Sequence, residues 1–195
     1  MKDLTARELL ERWWRPTVVV FVVVAAVMWR LVKDDLGAPP NLELSTAAAF
    51  LAAVLLRNRV AAFAPLVVVA VSDLVLGNSA VLLFTWTAWA AIGLASLWAR
   101  RTSGARRFGA ALGFGVGGSV FFFLWTNFGV WLGAEGTYYS AGLDGLVASY
   151  VAGVPFLRPM LVGNLVLLPM AAGVAALVER LERASETQLA ALPAR

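Results

Sequence analysis

The residues in this sequence that could do chemistry are a few polar and aromatic side chains in an otherwise apolar chain. The 195 residues include no cysteine and no histidine, which excludes thiol nucleophiles, disulfides, Cys/His zinc sites and histidine acid–base catalysis. The remaining amides and carboxylates can hydrogen-bond a small organic solute, and neighbouring aromatic rings are typical of a ligand pocket. The candidate ligand-binding residues are Asn41, Glu43, Asp73, Asn78, Asn127, Trp131, Tyr139 and Asn164.

The carboxylates of the chain do not form a catalytic pattern. No two of Glu43, Asp73, Glu135 and Asp144 stand at a spacing diagnostic of acid–base or metal chemistry. We therefore expect no catalytic residues, no bound metal and no cofactor, and we do not expect an enzyme.

The elements that must position these residues are membrane helices. The chain is 61% apolar and 14% charged, whereas soluble domains are roughly half apolar and a quarter charged. This composition predicts an all-α, polytopic integral membrane protein with one membrane domain over residues 1–195. Six apolar runs predict six transmembrane helices, at about residues 16–32, 42–56, 60–76, 79–98, 108–128 and 159–179.

The second of these helices is short for a membrane span, which needs about 17–25 residues. We expect it to begin near Asn41 or to be shielded by its neighbours. Residues 4–15 predict an amphipathic segment with capping-box spacing between Thr5 and Glu8. It is either an interfacial anchor or the start of the first spanning helix.

The basic residues indicate the orientation. With the N-terminus in the cytoplasm, the inner segments hold 13 lysines and arginines and the outer segments hold 3, namely Arg30, Lys33 and Arg158. The positive-inside rule therefore predicts that both termini are cytoplasmic. The basic residues set topology on one membrane face, so we expect no nucleic-acid partner. We expect a bacterial plasma (inner) membrane location and a cytoplasmic tail over residues 180–195.

The candidate polar residues fall near the outer ends of the predicted helices. Asp73, Asn127 and Asn164 lie close to the outer ends of their runs, and Asn41 and Glu43 lead into the second run. Residues 129–158 predict a long outer loop with a short helix at 143–151. The alternative is an aromatic belt at the headgroups with Asp and Asn capping helix ends. For Asp73 the two interpretations stay equally open.

Gly109, Gly113 and Gly117 follow one another at four-residue spacing in the fifth run. Small residues at this spacing let helices approach closely in a membrane. We expect them to pack inside the bundle, with a homodimer face as the alternative.

Several segments resemble a known family. They are Pro40-Asn41 before an Ala-rich helix, PLVVVAVSDLVLG at 65–77, GSVFFFLWTNFGVWL at 118–132 and GLDGLVASYVAGVPFLRPMLVGN at 142–164. Over residues 40–173 the chain resembles an uncharacterised bacterial family of six-helix membrane proteins. That family is similar to the substrate-binding S components of energy-coupling-factor (ECF) transporters.

This resemblance implies a six-helix, ECF S-component-like bundle that binds a vitamin-like solute near the outer face. It also implies partners, namely a transmembrane coupling subunit and two ATPases. Such proteins often carry Ala-x-x-x-Ala on the first helix for docking, whereas here the spacing occurs on the second, at Ala48 and Ala52. The lack of histidine argues against nickel or cobalt as the solute.

Two functions follow from these observations. The first is a membrane-embedded uptake protein that binds a small organic solute. The second is a non-transporting accessory or assembly subunit that packs through its helices against a larger complex.

Overall fold

The computed structural model describes residues 6–77, 81–134 and 137–190, which fold into a bundle of helices. The prediction of six α-helices is confirmed for this part of the chain. They are α1 (Ala6–Val32), α2 (Ser45–Leu56), α3 (Ala64–Leu76), α4 (Leu82–Ser96), α5 (Gly104–Ala134) and α6 (Leu143–Ala190). Two short 3₁₀ helices, Arg59–Phe63 and Ala99–Arg101, connect them.

Five segments of the described chain are long and apolar enough to cross a membrane. They are Trp13–Val32, Arg59–Leu76, Leu82–Arg101, Gly104–Ala134 and Leu143–Ala184. The exception is α2, which has 12 residues and so covers only about 18 Å of a hydrocarbon core about 30 Å thick.

The short helix α2 lies at the centre of the bundle. All of its residues from Ser45 to Leu55 are buried. Its neighbours therefore shield it, which confirms one of the two expectations. The other expectation, an extension to Asn41, is wrong. The chain at Asn41 has a positive φ of 58°, which ends any helical path there. At the other end Arg57 adopts a left-handed φ of 54° and closes the helix.

The N-terminal amphipathic segment is not a separate element. From Ala6 onward it forms one continuous helix with the first apolar run, through Pro16 to Val32. The structure therefore favours the second interpretation, the start of the first spanning helix. Thr5, the first residue of the proposed capping box, lies outside the described residues.

The long loop expected over residues 129–158 is largely helical. The helix α5 continues to Ala134 and α6 begins at Leu143, so the predicted short helix is the first part of α6. The sixth helix was predicted to begin at about residue 159, yet Pro155 and Pro159 both lie inside α6. Proline costs an intrahelical hydrogen bond, and packing along α5, the most extensive helix pairing in the described chain, offsets that cost.

Two ion pairs mark the ends of the bundle. At one end Arg15 of α1 pairs with Glu182 of α6, and we call this the proximal end. At the other end of α1, Arg30 pairs with Asp73 of α3, and we call this the distal end. The two levels are about 22 Å apart along α1 at 1.5 Å per residue. The α5–α6 pair is longer than this and extends beyond the distal level.

Candidate functional site

A buried polar cluster joins the loop before α2 to α5 and α6. The carboxylate of Glu43 accepts hydrogen bonds from Thr46 N at 2.8 Å, Thr46 Oγ1 at 2.6 Å and Asn164 Nδ2 at 2.9 Å. The same amide nitrogen of Asn164 donates to Ser119 Oγ at 3.0 Å. All four residues are buried. We call Glu43, Ser45, Thr46, Ser119 and Asn164 the Glu43 cluster.

The local fold explains why Glu43 lies inside the bundle. The chain turns at Asn41, and Trp29 of α1 holds the loop by donating from Nε1 to Leu42 O at 2.8 Å. Glu43 then accepts from the free backbone N–H of Thr46 in the first turn of α2, as an acidic side chain does at a helix N-terminus.

Small residues on α6 and α5 make room for the loop and for Asn164. A Cβ added at Gly163 would lie 2.5 Å from Leu42 Cδ1, and one added at Gly115 would lie 3.3 Å from Asn164 O. Larger side chains at these positions would separate α6 from its neighbours and open the Glu43 cluster.

The Glu43 cluster lies deep in the bundle. Ser119 stands about 18 Å along α5 from Arg107, and Asn164 stands about 22 Å along α6 from Glu179, at 1.5 Å per residue. Arg107 and Glu179 bond to each other near the proximal end. The cluster therefore lies at about the depth of Arg30 and Asp73. Polar residues of separate helices share one layer, as the sequence predicted for Glu43, Asp73 and Asn164.

The Glu43 cluster contains an acidic group and no basic side chain. Burial raises the pKa of the Glu43 carboxyl, although the hydrogen bonds from Thr46 and Asn164 act in the opposite direction. Within the described residues, no arginine or lysine bonds to Glu43. Two buried polar atoms also have no partner there, Ser45 Oγ and Asn164 Oδ1. Such atoms are costly in a protein interior unless something pairs with them.

Asp73 belongs to a second polar group, which contains Arg30 of α1 rather than Glu43. Its Oδ1 accepts from Arg30 Nη2 at 2.8 Å and its Oδ2 accepts from Trp86 Nε1 at 2.9 Å. Arg30 Nε also donates to Ser72 Oγ at 2.7 Å. These bonds join α1, α3 and α4. From the sequence, Arg30 indicated only topology, and its pairing with Asp73 was not predicted.

Asn127, Trp131 and Tyr139 lie in a third place, where α5 and α6 extend beyond the polar layer. The amide of Asn127 donates to Phe123 O in its own helix at 2.8 Å, and its backbone oxygen accepts from Ser149 at 2.8 Å. Trp131 donates to Ser140 O at 3.3 Å. The Ser149–Asn127 bond ties α5 to α6, whereas Trp131 bonds to the loop between them. Asn127 lies about 12 Å along α5 from Ser119.

The structure thus divides the predicted site residues rather than gathering them all. Glu43 and Asn164 meet, Asp73 lies in the group with Arg30, and Asn127, Trp131 and Tyr139 stand apart. Asn41 supplies the turn before the cluster. Asn78 lies outside the described residues. Thr46 and Ser119, the partners of Glu43 and Asn164, were missed because hydroxyls in an apolar helix often bond only to their own backbone.

The glycines at four-residue spacing do not pack inside the bundle. A Cβ added at Gly109, Gly113 or Gly117 would meet no atom within 4 Å. The prediction that these glycines pack inside the bundle is therefore wrong. Gly113 and Gly117 line an apolar groove of about 590 Å³ between α4 and α5, together with Ala91, Trp98 and Phe121.

The proximal end holds an ion-pair network that was not predicted from the sequence. Arg107, only 1% exposed, donates to both carboxylate oxygens of Glu179 at 2.7 and 3.0 Å. Arg57 donates to Glu179 Oε1 at 3.1 Å, and Arg15 pairs with Glu182. The signal was present, since Glu179 and Glu182 lie three residues apart on one face of a helix.

Comparison with known proteins identifies the family of this chain. The profile of the family of unknown function DUF6580 matches residues 10–187, and the chain belongs to that family. No curated protein and no solved structure matches the chain.

Proposed function

We propose that this protein binds a small organic solute at the distal end of its bundle and serves in uptake of that solute. The single observation that carries the proposal is the Glu43 cluster, in which buried Asn164 Oδ1 and Ser45 Oγ have no partner in the described chain. Polar residues inside a membrane domain are expensive and are typical of binding sites and pathways. A bound polar solute would satisfy both atoms.

The expected orientation adds a direction to this proposal. If both termini are cytoplasmic, as the basic residues predict, the distal end faces outward and the solute enters from outside a bacterial plasma membrane. The resemblance to ECF S components agrees with this arrangement and would supply a coupling subunit and ATPases as partners. The neutral pairing of Arg30 with Asp73 beside the loop would frame the entrance without binding the solute itself.

Native mass spectrometry of the purified protein in lipid nanodiscs tests the proposal. We expect a co-purified small molecule on the wild type and its loss in Asn164→Ala. Asn127→Ala is the matched control, because Asn127 bonds within the α5–α6 pair, away from the Glu43 cluster, and should retain the molecule. An empty wild-type protein that also shows no thermal shift with a library of vitamin-like solutes would overturn the proposal.

A second candidate function rests on a different observation, the groove between α4 and α5. Its glycines are open and its lining is apolar, which is the surface that a transmembrane helix of another protein needs for close packing. On this hypothesis the chain is an accessory subunit of a larger membrane complex.

Bulky substitutions in the groove distinguish this second candidate. Gly117→Leu would fill the groove, whereas Gly109→Leu adds the same side chain to the same helix outside its lining. We expect crosslinking to a partner chain to be lost in the first variant and kept in the second. Equal crosslinking in both variants would count against the groove, and a crosslinked species of twice the chain mass would identify a homodimer instead.

A further inference from the structure

The Glu43 carboxylate has no charged partner in the described part of the chain. It accepts hydrogen bonds from Thr46 N, Thr46 Oγ1 and Asn164 Nδ2, and these three donors are neutral. The residue is 7% exposed, and an ionised carboxylate at such a place is costly without an opposite charge. All three donors suit the ionised form, because a carboxylate accepts hydrogen bonds at both oxygens.

The basic residues of the distal end do not supply that charge. Arg30 is engaged with Asp73 and Ser72, and Lys33 pairs with Asp34. The third outer basic residue, Arg158 of α6, is exposed at the surface, whereas Glu43 is buried. The N-terminus of α2 contributes about half an elementary positive charge. About half of the carboxylate charge therefore remains without compensation from the protein.

The unpaired atoms beside Glu43 show what is missing. Asn164 Oδ1 is an acceptor only, and it belongs to the same amide that bonds to Glu43 and to Ser119. Ser45 Oγ can accept as well as donate. With Glu43, they offer oxygen ligands beside one negative charge. Divalent ions prefer several carboxylates, whereas this cluster has one.

We propose that the Glu43 cluster binds a single positive charge, held by Glu43, Asn164 Oδ1 and Ser45 Oγ. The charge belongs either to a free alkali cation or to the ammonium group of the solute, in which case the inference rests on the proposed function and narrows its substrate class to amines.

Thermal unfolding of the nanodisc-embedded protein tests this inference. The baseline is choline chloride, whose quaternary ammonium has no N–H to donate, and the probes are sodium, potassium and methylammonium chloride at the same ionic strength. At saturation we expect one probe to raise the Tm of the wild type by about 5 °C or more. Glu43→Gln should lose this response, and the surface control Asp34→Asn should keep it.

A second variant guards against poor folding of Glu43→Gln. Ser45→Ala removes only a hydroxyl that has no partner in the described chain, so it should fold, and it should raise the half-saturating probe concentration roughly tenfold. A sodium or potassium response without any co-purified solute supports a free cation at the Glu43 cluster, and it contradicts the proposed uptake function only if the library of vitamin-like solutes also gives no thermal shift. A methylammonium response supports the amine class.

Two results would overturn the inference. The first is a wild-type Tm that is the same in all four salts, because the carboxylate would then be held neutral by its own proton. The second is a neutral or anionic solute in native mass spectrometry with no response to any cation, which would leave the proposed function standing and remove only the charge assignment.

Discussion

Asn164 of α6 donates a hydrogen bond to Glu43 Oε1 over 2.9 Å, although 121 positions separate the two residues in the chain. The same amide reaches Ser119 of α5. One side chain therefore joins the loop before α2 to both long helices. These contacts fix the relative position of three elements beside the apolar core around α2, and they also form the candidate site.

Replacing Asn164 by Leu should destabilise the protein. The change leaves the Glu43 carboxylate with fewer donors and Ser119 without its long-range partner, and an unsatisfied buried polar group costs about 1–3 kcal/mol. Denaturant unfolding in mixed micelles measures the loss. Thr126→Val is the control, because Thr126 Oγ1 bonds only to Phe122 O of its own helix, and it should cost less. Equal losses of unfolding free energy in the two variants would show that the Asn164 contacts stabilise the fold no more than a bond within one helix does.

Much of the fold follows from the sequence, because apolar runs report lipid contact directly. Six helices were predicted and are present in the described chain. The ends of the helices were harder to predict. Pro155 and Pro159 are tolerated inside α6 because helix packing overrides the local cost of proline, and no local pattern reveals that. The burial of α2 could be expected, because a helix of 12 residues is too short to span the hydrocarbon core and must be shielded by its neighbours.

The candidate site could be predicted only in part, for a physical reason. A sequence shows that Glu43, Asp73 and Asn164 are polar residues at similar depth, and the structure agrees. It does not show which partner each residue takes, because hydrogen bonds such as Asn164 to Glu43 join distant parts of the chain. Arg30 illustrates the limit, since its charge was visible and its pairing with Asp73 was not.

The pairing of Arg30 with Asp73 should show as a coupling energy. Arg30→Met leaves a carboxylate with an 8% exposed side chain bonded to Trp86 but without its cation, and Asp73→Asn leaves the guanidinium without its anion. The double variant removes both charges, so it should be more stable than the sum of the single losses predicts, by about 0.5–3 kcal/mol. A double-mutant cycle measured by thermal unfolding checks this, and simple additivity would contradict the expected coupling.

The bidentate contact of Arg107 with Glu179 should not tolerate lysine. Arg107 also donates to Thr102 O at 2.9 and 3.2 Å, a set of bonds that needs the planar fork of a guanidinium. Arg107→Lys should therefore lower the free energy of unfolding by about 1–3 kcal/mol. The exposed Arg101→Lys serves as the reference and should be neutral. Lysine at position 107 with wild-type stability would mean that charge alone suffices.

The raised pKa of Glu43 predicts a pH dependence of stability. Burial makes the folded protein bind this proton more tightly than the unfolded chain does. The contribution of Glu43 is therefore fully present below its ordinary pKa of 4.5 and is lost as pH rises through the folded value. Thr46, Ser119 and Asn164 around it do not titrate in this range, and Arg30 and Asp73 are paired with each other.

The measurement compares wild type with Glu43→Gln in choline chloride from about pH 5 to about pH 8. The stability of the wild type relative to Glu43→Gln should fall as pH rises, and a binding cation should reduce that fall because it stabilises the ionised form. A difference that stays constant across this range would contradict a raised pKa.

Two glycine substitutions should have opposite outcomes, since their surroundings differ. In Gly93→Ala the new Cβ would lie 2.0 Å from Ala62 O, a backbone atom, so α4 must move away from its neighbour. Overpacking of this kind costs about 1–3 kcal/mol or more. In Gly113→Ala the methyl group enters open space, and the protein alone should lose no stability. Thermal unfolding measures both variants. If Gly113→Ala keeps its Tm but weakens crosslinking to another chain, the groove between α4 and α5 is an interface. Unchanged crosslinking would instead indicate that the groove faces lipid.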